Sequence, residues 1–96
     1  MFATIRRFQG AGRTDDELIP EGRRLAVAVS KESGFIAYAL LEAGDGGLVA
    51  ITVFEERSGL ARADLLVDRW GTAHGLVPVA GPSEVQGGEV IVQRGI

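Results

Sequence analysis

Residues 35–55 decide the fold of this chain, and they read FIAYALLEA-GDGG-LVAITVFE. Two runs rich in β-branched, aromatic and aliphatic residues, predicted as strands Phe35–Ala43 and Leu48–Glu55, flank a glycine-rich turn that contains an Asp-Gly pair. Such a pair between two apolar runs is a strong signal for a β-hairpin. The centre of the chain is therefore predicted to be an antiparallel hairpin.

A strand and a helix are predicted before the hairpin. Residues Phe2–Gln9 alternate with period two, which is typical of a strand. The following helix, Thr14–Glu32, is expected to start with a capping box formed by Thr14 and Glu17. Pro20 is expected to kink this helix or to restart it after one turn. Its predicted apolar face consists of Leu18, Gly22, Leu25 and Val29.

A second helix and a last strand are predicted after the hairpin. The helix, Ser58–His74, is expected to be capped by Ser58 and to end at Gly75. The strand is predicted at Glu89–Arg94, where valine and isoleucine dominate. The predicted apolar stripe of the helix comprises Ala63, Leu66, Trp70, Ala73 and Val77.

The order β-α-β-β-α-β is that of the ferredoxin-like split motif. It predicts a four-stranded antiparallel sheet with both helices on one face. We expect residues 1–96 to form one α+β domain, since this length suits a single hydrophobic core.

Both faces of the hairpin strands are apolar, although two helices can cover only one face. Exposing about half a dozen large apolar side chains would cost on the order of 10 kcal/mol. We therefore predict a homodimer through the sheet faces; a ligand pocket or an unrelated partner is the alternative. The strand Phe35–Ala43 is expected to direct Phe35, Ala37, Ala39 and Leu41 to one face, and Ile36, Tyr38 and Leu40 to the other.

Composition excludes several classes of function. The net charge of −3 and the pI near 5.0 argue against a nucleic-acid partner. The chain has no cysteine, which excludes disulfides and thiolate chemistry, and its single histidine gives no metal-ligand spacing. Without a visible signal peptide or a membrane-length apolar run, we expect a cytoplasmic protein with no membrane partner.

Three segments, Ser33–Leu41, Gly44–Glu55 and Gly88–Val92, resemble the antibiotic biosynthesis monooxygenase-like family of dimeric α+β barrels. The pair Phe54–Glu55 stands where that family has an aromatic and an acidic residue, although tryptophan is the usual aromatic. The resemblance implies a dimer with facing sheets and a pocket between sheet and helices in each subunit. Its superfamily includes cofactor-independent oxygenases of polyketide-type aromatics, haem-degrading enzymes and small isomerases.

Trp70 and His74 are four residues apart on the second helix and so share one face. In one interpretation His74 is a general base and Trp70 packs an aromatic substrate. In the other, His74 favours the C-terminal end of the helix dipole and Trp70 belongs to the core. Haem-degrading members of the superfamily have an Asn–Trp–His set. This chain has no asparagine, which argues against haem degradation.

Further candidates come from the strands and the second helix. Tyr38 and Leu66 are predicted to contact the substrate. Arg7 is predicted to hold a carboxylate or an enolate, although the sequence leaves open whether Arg6 or Arg7 faces the pocket. The alternative for both arginines is an ion pair.

Two hypotheses for function follow. In the first, the chain is an enzyme that acts on a small hydrophobic or aromatic carbonyl compound; as an oxygenase of the resembled family it would need no cofactor. In the second, it is a non-catalytic dimeric module that binds a ligand or serves an accessory role. A pocket bordered by Tyr38, Trp70 and His74 would favour the first, and a filled interior the second.

Overall fold

The computed structural model describes residues 1–9, 15–42, 47–78 and 85–96. Within these ranges the elements alternate in the order that the sequence predicts. They are β1 (Phe2–Gln9), α1 (Asp15–Ser30), β2 (Phe35–Glu42), β3 (Gly47–Phe54), α2 (Arg57–Ala73), β4 (Val77–Pro78) and β5 (Val85–Glu89).

The described strands form one antiparallel sheet in which β2, β3 and β1 lie side by side. The remaining edge of β1 is shared, because β4 pairs with Phe8 and Gln9 and β5 pairs with the stretch Phe2–Arg6. The short strands β4 and β5 thus lie end to end along the same edge of β1. Counted together as one strand, they give the sheet the four strands of the ferredoxin-like motif. The predicted α+β fold is confirmed.

The last strand lies earlier in the chain than predicted. The prediction of Glu89–Arg94 is wrong, because pairing with β1 uses Val85–Glu89 instead. The amide of Val90 donates to the carbonyl of Met1 at 2.9 Å, where the chain itself begins. The apolar run that follows pairs with no strand among the described residues, and Ile91 and Val92 are 89% and 84% exposed.

Helix α1 buries the face that was predicted, since Leu18, Gly22, Leu25 and Val29 are all buried. The predicted break at Pro20 is wrong: one helix runs from Asp15 to Ser30. Pro20 is exposed there, so its ring meets solvent instead of the packed sheet. The predicted capping box cannot be assessed, because Thr14 lies outside the described residues.

The ends of α2 differ in how well they were predicted. Glu56 is the N-cap residue and makes no side-chain capping bond. The prediction that Ser58 caps the helix is therefore wrong, because the helix starts one residue before it. The C-terminal end is as predicted: Gly75 has φ of +71°, and Leu76 donates to the carbonyl of Gly71 at 2.9 Å in a Schellman-type closure.

The buried face of α2 is rotated from the predicted stripe. Ala73 is exposed, so this part of the prediction is wrong, whereas Leu66 is half-buried and packs against the core. Two glycines cause the difference, because they let the helix lie directly on aromatic rings. A Cβ atom at Gly59 would stand 2.7 Å from the Phe54 ring. The buried residues of α2 are Gly59, Leu60, Ala63, Val67, Trp70 and Gly71.

A β-bulge lies between Phe35 and Ala37, and it changes which side chains of β2 point to each face of the sheet. Phe35 packs on the helix side with Tyr38 and Leu40, so the prediction that it shares a face with Ala37 is wrong. The extra residue at the bulge changes the alternation at this point. The opposite face of the sheet, here called the outer face, carries Ala3, Ile5, Arg7, Ala37, Ala39, Leu41, Val49, Ile51 and Val53.

No helix in the described part of the chain is long and apolar enough to cross a membrane.

We expect Gly59→Ala to destabilise the fold. The new methyl group would meet the carbonyl oxygen of Ser33 at 2.6 Å, and that backbone atom cannot move away as a flexible side chain can. The free energy of unfolding, measured by urea denaturation, should fall by about 1–3 kcal/mol. Gly88→Ala is the matched control: its Cβ meets nothing within 4 Å, and the change should stay within about 0.5 kcal/mol. An unchanged midpoint for Gly59→Ala would contradict the close packing of α2.

Candidate functional site

An apolar cleft lies between α1 and the β2 side of the sheet. Its volume is about 380 Å³, which lies within the range of small-molecule sites. Helix and sheet approach closely at one wall, because a Cβ atom at Gly22 would stand 3.1 Å from the Leu40 side chain. The residues that line the cleft are Leu18, Ile19, Gly22, Arg23 and Ala26 of α1, Tyr38, Leu40, Leu41 and Glu42 of β2, and Leu48 of β3.

Tyr38 is one of the residues that line this cleft. Its Oη atom is buried and has no hydrogen-bond partner among the described residues. Burial raises the pKa of Tyr38 to about 12, so the phenol keeps its proton at neutral pH. A neutral phenol can donate a hydrogen bond to an oxygen atom of a ligand.

A row of three hydroxyl side chains crosses the helix-facing side of the sheet. Strand register places Thr52 between Tyr38 and Thr4. Thr52 is fully buried, and its Oγ1 atom has no partner within the described ranges. Thr4 donates to Asp64 of α2 at 2.8 Å. Burial raises the pKa of Asp64, although the bond from Thr4 and the charge of Arg6 oppose this shift.

The two neighbouring arginines of β1 point to opposite faces of the sheet. Arg6 lies on the helix side, where it forms an ion pair with Asp68 and is only 11% exposed. Its Nε atom is buried without a partner in the described part of the chain. Arg7 is exposed on the outer face, so Arg6 is the one that shares a face with Tyr38. The catalytic role predicted for Arg7 stays a prediction, but this position gives it no access to the helix side.

Trp70 and His74 are in contact, as their spacing predicts. The ring centroids are 4.9 Å apart, and Trp70 is 9% exposed with its indole Nε1 atom lacking a partner in the described ranges. His74 Nδ1 lies 2.8 Å from the carbonyl of Trp70, so Nδ1 must donate and Nε2 holds the lone pair of the neutral ring. That Nε2 atom lies 3.8 Å from the carboxylate of Glu21 on α1.

The predicted site residues therefore fall into separate places. Tyr38 lines the cleft, whereas neither Trp70 nor His74 is among the residues that line it. Leu66 lies elsewhere, in a shallow groove between α1 and α2 beside Val27 and Lys31. The substrate contacts predicted for Trp70 and Leu66 stay predictions.

Several residues of the site were not singled out from the sequence. Asp64 and Asp68 are four residues apart on α2, and that spacing could have indicated a shared helix face. Thr4 alternates with Phe2 and Phe8, which could have placed it on the core side of β1. Arg23 gave no signal, because an arginine on a helix is usually solvated.

A scan against protein-family models finds no match, and a search of the curated proteins finds none either. Solved structures do match over nearly the whole chain.

Three of these structures illustrate the likeness. Rv0793 from Mycobacterium tuberculosis has a TM-score of 0.70 and 22% identity, with 96% of each chain covered. SnoaB, described as a cofactor-independent oxygenase from Streptomyces nogalater, was solved as a mutant; it has a TM-score of 0.66 and 21% identity, over 97% of this chain and 93% of the other. A mutant of MhuD with two manganese protoporphyrin IX molecules per active site has a TM-score of 0.67 and 20% identity, over 99% of both chains.

Other matching structures carry the name antibiotic biosynthesis monooxygenase. The chain thus has the fold of this group of proteins, and the fold that the resemblance implied is confirmed.

We expect Tyr38 to titrate with a midpoint near pH 12 instead of 10. The chain has one tyrosine, so the absorbance change of phenolate formation reports this residue alone. Because the folded state favours the neutral phenol, its contribution to stability is complete below pH 10 and is lost as the pH rises towards 12. The urea-unfolded chain should titrate near the ordinary value, and Tyr38→Phe should abolish the signal. A midpoint near 10 in the folded protein would contradict the burial of this phenol.

Proposed function

We propose that the chain is a cofactor-independent monooxygenase that acts on a small hydrophobic or aromatic carbonyl compound bound in the cleft between α1 and β2. The observation that carries the proposal is the apolar cleft of about 380 Å³, which has Tyr38 among its lining residues. The Tyr38 hydroxyl is buried and has no partner in the described part of the chain. A buried hydroxyl without a partner is costly, and a ligand oxygen would satisfy it.

Binding would use shape and one hydrogen bond. The cleft walls are mostly aliphatic, so a flat apolar ring system gains free energy by leaving water. Tyr38 keeps its proton, because burial raises its pKa to about 12, and therefore donates to a carbonyl or enolate oxygen. Such a donor becomes more effective as negative charge develops on that oxygen.

The reaction would start with removal of a proton from carbon next to the carbonyl group. His74 is the proposed base, since Nε2 holds the lone pair when the ring is neutral. It is not among the residues that line the cleft, so the substrate would have to extend beyond that lining towards the C-terminal end of α2. The resulting carbanion would react with dioxygen; one oxygen atom becomes a new carbonyl oxygen and the other leaves in water, with the electrons supplied by the oxidised substrate carbon. The likeness to SnoaB, a cofactor-independent oxygenase, supports this chemistry.

A non-catalytic ligand-binding module is the second candidate. It is favoured by the orientation of His74, whose two ring nitrogens face the Trp70 carbonyl and the Glu21 carboxylate. The described residues that line the cleft include no histidine, the residue that would most often hold a haem iron. We therefore propose no step through haem.

Anthrone tests the oxygenase proposal, because it is an aromatic ketone with an acidic methylene group. The wild-type protein, freed of metals by chelation and with no flavin added, should consume one dioxygen for each anthraquinone formed, as followed with an oxygen electrode. His74→Gln should lower kcat by about a hundredfold, the usual contribution of a general base. Anthrone binding without enzymatic oxygen uptake would instead support the binding module.

Two alanines of α1 provide a matched pair that locates the site. Ala26 lines the cleft, whereas Ala28 lies in the shallow groove between the helices. We expect Ala26→Leu to fill the cleft and weaken anthrone binding at least tenfold, about the effect of 1.4 kcal/mol. Ala28→Leu should bind as the wild type does. Equal affinities for all three proteins would place the ligand elsewhere.

We also propose that two copies of the chain pair through their outer faces. Among the described residues this face is apolar apart from Arg7 and Gln9, both helices lie on the other side of the sheet, and Ala39 and Leu41 are exposed on it. Packing two such faces buries apolar surface on both copies with two-fold symmetry. The exposed residues Ile91 and Val92 beyond β5 add apolar surface that a partner could cover.

Ala39→Lys should convert this dimer into a monomer. Ala39 is exposed in the single chain and lies beside Ile51 on the outer face. The single chain should therefore fold with lysine at this position, whereas the buried charge would oppose packing of two outer faces against each other. Ala61→Lys, an equally exposed change on α2, should leave the mass unchanged. Light scattering after size exclusion measures both variants. A wild-type protein that is monomeric at micromolar concentration would overturn the proposal.

A further inference from the structure

The mouth of the cleft carries one cationic residue among those that line it, Arg23 of α1. Arg23 is exposed and makes no ion pair or hydrogen bond within the described residues. Its neighbour Arg24 points away from the cleft, and its Nη1 atom lies 2.6 Å from the Glu21 carboxylate. Two adjacent arginines of one helix therefore differ: Arg24 has a partner of its own and Arg23 stands beside an apolar cavity.

The polar groups of the cleft are distributed unevenly. The Tyr38 hydroxyl is buried on the helix-facing side of the sheet. Arg23 lines the cleft from α1, and Glu42 lines it from β2. The remaining lining residues are aliphatic or glycine. An anionic group would be attracted by the Arg23 guanidinium, so it would bind on the α1 side. Guanidinium is the side chain that best matches the planar shape of a carboxylate.

We infer that the ligand of this cleft is an aromatic carboxylate, with the ring system between the aliphatic walls and the carboxylate bound to Arg23. This inference rests on the proposed function, because it names the substrate class of the same cleft. A carboxylate at an exposed arginine contributes a modest, salt-sensitive part of the affinity. The ring provides most of the binding free energy, and Arg23 selects the acid over a neutral compound of equal size.

Two compounds of nearly equal shape test the inference: 2-naphthoate and the neutral ketone 2-acetylnaphthalene. Isothermal calorimetry with the wild-type protein should show about fivefold tighter binding of 2-naphthoate, the size expected for an exposed ion pair. Arg23→Gln should remove this preference and leave 2-acetylnaphthalene unaffected. Arg24→Gln, the matched control, should keep the preference. Raising the salt concentration should weaken 2-naphthoate binding to the wild type only.

The outcomes separate this inference from the proposed function. If both compounds bind equally and Arg23→Gln changes neither, the carboxylate assignment is wrong and the cleft remains a site for neutral rings. If Arg24→Gln abolishes the preference as fully as Arg23→Gln, the effect belongs to the general charge of α1 and the assignment to Arg23 is overturned. If neither compound binds, both the inference and the proposed binding site are overturned.

Discussion

The close approach of α2 to the sheet is the constraint on which the rest of the structure depends. It is possible because glycine stands at the two points where the helix meets an aromatic ring, Gly59 against Phe54 and Gly71 against Phe8. With both ends of the helix held against the sheet, Trp70 is forced into the core. The same contact brings Asp64 and Asp68 over β1, where Thr4 and Arg6 meet them.

This arrangement places polar groups inside a layer that would otherwise be aliphatic. Burial of ion pairs and hydroxyls seldom adds net stability, because desolvation offsets the attraction between the charges. The raised pKa of Asp64 shows that its burial outweighs the favourable effects of Thr4 and Arg6. Its folded state therefore favours the protonated carboxyl, and stability falls as the pH rises from the ordinary value of 3.8 through the raised one. Polar groups kept in such an interior are typical of binding and catalytic sites.

Much of the fold followed from local signals in the sequence. The antiparallel pairing of β2 with β3 was evident from the Asp-Gly pair in the sequence between them, and the buried face of α1 from the spacing of its apolar residues. The errors arose where a contact between distant residues decides the outcome. The bulge at Phe35–Ala37 depends on pairing with β3, and the rotation of α2 depends on rings of β1 and β3 that lie far away in sequence. The candidate site was harder to predict than the fold. Tyr38 was identified because it is the only tyrosine in the sequence, whereas Arg23 became a candidate only because β2 forms the opposite wall of the cleft.

The apolar residues that follow β5 affect how the chain behaves at high protein concentration. Val90, Ile91 and Val92 have high β-propensity, carry no charge and follow β5, which ends at Glu89. Segments of this kind readily recruit identical copies into cross-β stacks. Gln93, Arg94 and Gly95 follow at once, and a charge next to a glycine interrupts the growth of such stacks. Residues 93–95 would therefore limit such pairing wherever Ile91 and Val92 are exposed.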